Sequence, residues 1–163
     1  KFDFYKILSI SAKDENLINT LLKKTDAQIY ISLGTLNFDE INKIIDMYIK
    51  NSRIKFNYTQ LSYSSVNINF TNLVNLANKH GNKFSYGHHY INDIPILMSK
   101  LLKNCDIFIY LKEKKKIKHP DEQHAINFEN FIKLLNKLKE IDEIIGVDGR
   151  LFSKNDIPDQ SQK

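Results

Sequence analysis

His88 and His89 stand side by side after one short apolar run, and Asp121, Glu122 and His124 follow the next. Imidazole nitrogens and carboxylate oxygens are common ligands of divalent metals in catalytic sites, so these residues are the first place to look for metal chemistry. Neighbouring residues on a strand face opposite sides, so at most one of the two histidines is expected to enter a shared site. That one needs partners from other elements, and Asp121, Glu122 and His124 are the nearest in sequence. The competing expectation is a polar loop surface that holds no metal.

Lys6 is the next chemically marked residue, set within Tyr5-Lys6-Ile7. A lysine in an apolar strand is uncommon unless it is paired or bound to an anion, the alternative being an edge lysine that reaches solvent. Ser9 and Ser32 stand at strand ends, where hydroxyls could hold a carboxylate or phosphate, although serine also forms turns there. Residues 112–118 read Lys-Glu-Lys-Lys-Lys-Ile-Lys. This run could draw in an anion, but a solvated loop is the plainer expectation. No Gly-rich phosphate loop, Gly-x-Ser-x-Gly elbow or His-Glu-x-x-His is present.

The elements that must position these groups are legible as alternating patterns. Short apolar runs at residues 5–9, 29–34, 54–59, 84–89 and 107–112 read as strands, each closing in polar residues. Between them lie helical patterns. Leu17, Ile18, Leu21 and Leu22 share one face, and Ile41, Ile44, Ile45, Tyr48 and Ile49 form another stripe behind Asn37 and Glu40, a capping-box pair. A third helix at about 70–79 is expected to stop before Gly81, a fourth to begin near Asp93 with Pro95 in its first turn, and a fifth to run from about Asn127 to Gly146. Five βα units predict an α/β fold with parallel strands and right-handed crossovers. A full (β/α)8 TIM barrel takes roughly 250 residues, so the 163 present suit about five of its eight units. An open five-stranded sheet is the other architecture the pattern allows. Its edge strands would need cover or would invite association with another chain, so the pattern allows a homo-oligomer without requiring one.

The composition narrows the field further. With 42% hydrophobic and 26% charged residues the chain is that of an ordinary globular domain, placed at residues 1–150 with a polar tail at 151–163. No apolar run is long enough to span a membrane, and Cys105 is the only cysteine, so a reducing cytoplasmic setting is expected and a cysteine zinc cage is excluded. The net charge of +5 comes without a basic helix face interleaved with aromatics, which argues against a nucleic-acid partner. A chain that opens on Lys1 and enters a strand almost at once is expected to be trimmed or partial.

Several short motifs share an order with one known family. Tyr5-Lys6-Ile7-Leu8-Ser9 resembles a Tyr-Lys-Ile-Ala-Ser strand, and Tyr30-Ile31-Ser32-Leu33-Gly34 followed by Glu40-Ile41 resembles Ile-Leu-Ser-Thr-Gly and its Glu-Ile helix start. Asn57-Tyr58-Thr59-Gln60 is similar to His-Cys-Thr-Ser/Asn, and Val66-Asn67-Ile68 to a downstream Val-Asn-Leu. Ser85-Tyr86-Gly87-His88-His89 is similar to Gly-Tyr-Ser-Asp-His, and Pro120-Asp121-Glu122 to Pro-Asp-His. Together they resemble the N-acetylneuraminate (sialic acid) synthase family and its legionaminate and pseudaminate relatives, over about residues 5–149.

The resemblance implies strands four to eight of a TIM barrel. It also implies condensation of phosphoenolpyruvate with an open-chain 2-acetamido sugar, assisted by manganese or magnesium. On it, Lys6, Ser9, Ser32, Thr59 and Gln60 would bind substrate, His89 would ligate the metal and Asp121 would contact the sugar as a catalytic-site residue. The sequence departs from the pattern in four places. The family's Glu-Lys-His falls on Ile109-Tyr110-Leu111, its serine before Asp-His on Gly87, its His-Cys on Asn57-Tyr58, and its phosphoenolpyruvate-contacting Asn or Ser on Gln60. Leu111 thus occupies the second metal-ligand position, which implies either a weakened catalyst or an inactive relative that keeps sugar or anion binding.

Overall fold

A computed structural model describes residues 2–62, 65–102, 105–113 and 121–146. The expected tail at 151–163, Pro120 and most of the lysine run at 112–118 lie outside the described residues. Five parallel strands form one sheet in the order β1-β2-β3-β4-β5. They are β1 (Phe4–Ile7), β2 (Gln28–Ser32), β3 (Ile54–Thr59), β4 (Phe84–Gly87) and β5 (Asp106–Phe108). The helices that follow the first four are α1 (Glu15–Lys24), α2 (Phe38–Tyr48), α3 (Phe70–His80) and α4 (Ile94–Ser99).

Register decides what each face of this sheet is for. Ile7 pairs with Ile31, which pairs with Phe56 and then Phe84, so one face is a continuous apolar layer. Ile18 of α1, Ile41, Ile44 and Ile45 of α2, Leu73 of α3 and Ile96 of α4 all join that layer in a single buried cluster. The opposite face carries Lys6, Tyr30 and Lys55 in one row and Ser32, Asn57, Ser85 and Asp106 in the next. Helices on one face of a sheet whose strands run in chain order make part of a (β/α) barrel. A doubly wound sheet reverses its strand order and covers both faces. The fold is therefore a half-barrel of five parallel strands, and the open-sheet alternative falls.

Local chemistry holds the helices where the apolar stripes put them. Asn37 Oδ1 accepts the Glu40 N–H at 3.0 Å while Glu40 Oε2 accepts the Asn37 N–H at 3.0 Å, the reciprocal cap that the pair predicted. Gly81 and Gly146 end their helices at φ +65° and +74°, the left-handed region that a Cβ disfavours. At the far end of the sheet Arg53 donates to the carbonyl oxygens of Leu22 and Thr25, closing the carboxyl end of α1.

Two strands differ from their expected ranges. β1 ends at Ile7, and Ser9 lies in a 3₁₀ turn at Ser9–Ser11. The expected fifth strand at 107–112 breaks after Phe108. β4 ends at Gly87, so the chain beyond Phe108 has no continuing neighbour there and takes another. Tyr110 accepts the Ile126 N–H at 2.8 Å, and β6 (Leu111–Lys112) pairs in parallel with β7 (Ile126–Asn127) as a separate two-stranded sheet. From β7 the chain enters α5 (Phe128–Ile145), whose Leu134 reaches the main core.

Asn57 ties the polar face together. Its Nδ2 donates to Ser32 Oγ at 3.4 Å, and its Oδ1 accepts from Ser85 Oγ at 3.1 Å, all three residues being buried. Gly87 leaves room for it: a Cβ there would lie 2.6 Å from Asn57 Nδ2 and 3.0 Å from Thr59 Cβ. Because both ends of the amide are engaged, it cannot swing aside without losing hydrogen bonds. Gly87→Ala is therefore expected to cost about 1–3 kcal/mol of stability, the usual penalty of overpacking. A urea-denaturation midpoint unchanged from wild type would refute this account of the β4 end.

Candidate active site at the carboxyl ends of the strands

The site is assembled from four places in the chain. β1 supplies Lys6, the segment after β4 supplies His89, the link from β5 to β6 supplies Tyr110, and the turn at 121–124 supplies Asp121 and His124. The expectation of a solvated histidine surface is overturned, since His88 is 1% exposed and His124 4%. The two neighbours diverge as strand alternation requires. His88 turns to the helix side, where Nδ1 lies 3.4 Å from the Tyr86 hydroxyl. His89 turns the other way, its ring 4.3 Å from that of His124 and 5.2 Å from that of Tyr110. His124 Nε2 lies 3.3 Å from Asp121 Oδ1. One ligand atom each from His89, Asp121 and His124 fall within 4.8 Å of one another.

Electrostatics set the form these groups take. Burial, reinforced by His124, pushes the pKa of His89 down to about 4, and burial with His124 and His89 does the same to His88. Both imidazoles are therefore neutral near pH 7, the form that binds a metal. Lys6 is half-buried, its ammonium 5.1 Å from the centre of the Phe108 ring and 5.7 Å from that of Tyr110. Burial lowers its pKa and Asp121 partly offsets that. The expectation of a lysine reaching free solvent does not hold, because β1 is a sheet edge yet Lys6 points across the polar face onto these rings.

A second ionic cluster lies on the same polar face. Lys55 Nζ and the Tyr30 hydroxyl both meet Asp106 Oδ2, at 2.5 Å and 2.7 Å. Burial opposes ionisation of Asp106, but the two hydrogen bonds outweigh it and hold its pKa below the usual carboxylate range. Burial and the same carboxylate push Tyr30 upward.

The remaining expected site residues are placed unequally. Ser32 joins the Asn57 network, and Thr59 lies beside Gly34 and Gly87 with its hydroxyl buried and, among the described residues, without a hydrogen-bond partner. Ser9 sits in the turn after β1, half-buried. Gln60 donates to the Tyr58 hydroxyl at 3.2 Å and lines a separate cavity of about 450 Å³ with Gly34, Ser62, Asn67 and Asn69. Among the described residues no hydrogen bond joins Ser9 or Gln60 to the His89 group. Tyr110 was not anticipated as a site residue, because an aromatic in an apolar run reads as core; the signal was its position between β5 and the acidic turn.

A half-barrel with titratable groups gathered at the carboxyl ends of its strands is part of a TIM-barrel fold. Within that class, the chain belongs to the NeuB family, whose sequence profile matches residues 1–149. A comparison with curated proteins found no match. Among solved structures the chain is similar to an N-acetylneuraminic acid (sialic acid) synthetase from Leptospira borgpetersenii serovar Hardjo-bovis, crystallised with citrate. The TM-score is 0.78 at 18% identity, covering 93% of this chain and 54% of that one. It is also similar to a protein from Chromobacterium violaceum described as spore coat polysaccharide biosynthesis protein E, with a TM-score of 0.78 at 14% identity, covering 94% and 47%. The chain thus spans about half the length of these relatives. At such identities the likeness is one of fold. None of the described helices is long and apolar enough to cross a membrane.

The histidines make stability depend on pH. Each holds fewer protons folded, with a pKa of about 4, than unfolded, where it titrates near the ordinary 6.5. The unfolded chain therefore gains from protonation first, and stability is lost as pH falls from about 6.5 towards 4, by at most about 1.4 kcal/mol per pH unit for each imidazole. Urea titrations at pH 7, 5.5 and 4.5 should show this decline, and His88→Gln should flatten it. Equal slopes in the two proteins would show that His88 is not a source.

Proposed function

We propose that the protein belongs to an enzyme that condenses phosphoenolpyruvate with the open-chain aldehyde of an N-acetylated hexosamine, in the formation of a nonulosonic acid for surface carbohydrate. The observation that carries this reading is Lys6. Its ammonium is half-buried over two aromatic rings and has no hydrogen-bond partner among the described residues, beside a group of metal-binding type. Desolvating a cation without an anion is costly, and a carboxylate or phosphate at the barrel mouth would supply the missing partner. Thr59 strengthens the case, since its buried, unsatisfied hydroxyl also awaits a ligand atom.

The family's divalent cation, manganese or magnesium, fits the residues present. His89 offers a neutral imidazole, with Asp121 and His124 beside it as further ligands. Bound there, the metal would supply Lewis-acid polarisation of the sugar aldehyde. Lys6 holds the anionic end of phosphoenolpyruvate, with Ser32 and Thr59 lining the floor and Ser9 and Gln60 at the periphery. Asp121 meets the sugar hydroxyls, and Tyr110 walls the site with its ring. Orienting the enol carbon against the aldehyde lets the carbon–carbon bond form, after which water enters at carbon two and phosphate departs. Partners are accordingly small molecules.

A second reading is favoured by Leu111, which is 50% exposed and offers no ligand atom. It is a relative that binds the substrates without joining them. Incubation with phosphoenolpyruvate, 2-acetamido hexoses and manganese separates the two. The enzyme reading expects phosphate release, lowered at least about 100-fold by Lys6→Met, the order of magnitude of a lost charge-assisted contact. Phosphoenolpyruvate binding without release for any such sugar would leave only the second reading.

Thr59→Val provides an independent check. Removing an unsatisfied buried hydroxyl at constant shape should raise the stability of the ligand-free protein by about 1 kcal/mol while weakening phosphoenolpyruvate binding. A variant that binds as wild type would remove Thr59 from the site.

A further inference from the structure

We infer that His124, carried on the turn before β7, replaces the metal ligand that Leu111 cannot provide, so that the centre is a set of two imidazoles and one carboxylate: His89, His124 and Asp121. The inference rests on the reading of the barrel mouth given above, but concerns which atoms hold the cation rather than what the cation does.

Three features of the geometry carry it. The ligand atoms of these residues lie within 4.8 Å of one another. Donors each roughly 2.1 Å from one tetrahedral ion are roughly 3.4 Å apart, so the Asp121–His124 pair already has that spacing and a shift of His89 by about an ångström closes the set. Asp121 and His124 are separated by a single turn, which delivers carboxylate and imidazole together, Nε2 already 3.3 Å from Oδ1. Finally, Tyr110 packs edge-on against both histidine rings, 5.2 Å and 5.0 Å between centroids, and so fixes their mutual orientation.

The chain path explains how His124 reaches His89. Beyond Phe108 the strand leaves β4 and pairs with Ile126, leaving the Leu111 side chain half exposed. That same pairing draws residues 121–126 over the barrel mouth and buries His124 against His89. Two nitrogens with one carboxylate oxygen favour borderline transition ions such as manganese(II), iron(II) or zinc(II) over magnesium, which prefers all-oxygen shells.

Manganese(II) titration of the full chain, read by calorimetry, tests this without turnover. One site is expected, at least about 100-fold weaker in His124→Ala, since loss of even an outer-shell partner costs roughly 10–100-fold. Pulsed electron paramagnetic resonance of the manganese-loaded wild type should show two coupled imidazole nitrogens, and one in His124→Ala. A single coupled nitrogen in the wild type overturns the inference even if the variant fails to fold. So does His124→Ala with wild-type affinity, or absence of manganese binding. A two-nitrogen site without phosphate release would sink the synthase reading and leave this one standing. Phosphate release from a one-nitrogen site would do the reverse.

Discussion

The in-register parallel pairing of β1 to β4 is the constraint on which the rest depends. It aligns Ile7, Ile31, Phe56 and Phe84 on one side and Ser32, Asn57 and Ser85 on the other. A slip of one residue in any strand would send an apolar side chain into the barrel mouth and a polar one under a helix. The helices are held by that apolar layer, and the loops that carry His89, Tyr110 and Asp121 begin where the pairing ends. Position of the site is thus inherited from hydrophobic burial on the far side of the same strands.

Alternation and capping were plain in the residues. The stripe Ile41, Ile44, Ile45 and Tyr48 lies under α2, the Asn37–Glu40 cap forms, and Gly81 and Gly146 end their helices. Their physics is local, so a short window contains all of it. The fifth unit was harder. Ile107 to Lys112 alternates as one strand, yet it is split because β4 stops at Gly87, a fact of the neighbouring strand rather than of this segment. His89 and His124 lie far apart in sequence; nearness in chain order made Asp121, Glu122 and His124 candidates, but which of them meets His89 is decided by the pairing of β6 with β7. Lys6 was marked as unusual by its apolar surroundings, but that Phe108 and Tyr110 would lie against it required the register.

Charge on the polar face is divided between two groups. Asp106 answers Lys55 and Tyr30, an internally satisfied cluster that needs nothing from outside. Among the described residues Lys6 and the Thr59 hydroxyl have no hydrogen-bond partner, and the imidazole of His89 is kept uncharged by burial. A ligand with negative charge therefore gains most beside Lys6 and little beside Asp106. Where it settles is set by where the protein has left polar groups unsatisfied.

Gly87 and Asn57 are coupled in one direction only. A side chain at position 87 and the present placement of Asn57 compete for the same space, which is shared to within 2.6 Å. Shortening Asn57 needs no change at 87, whereas any side chain at 87 must displace the amide and break its bonds to Ser32 and Ser85. Tolerance to substitution is thus asymmetric, and the smallest residue in the mouth is the one with the least freedom to change.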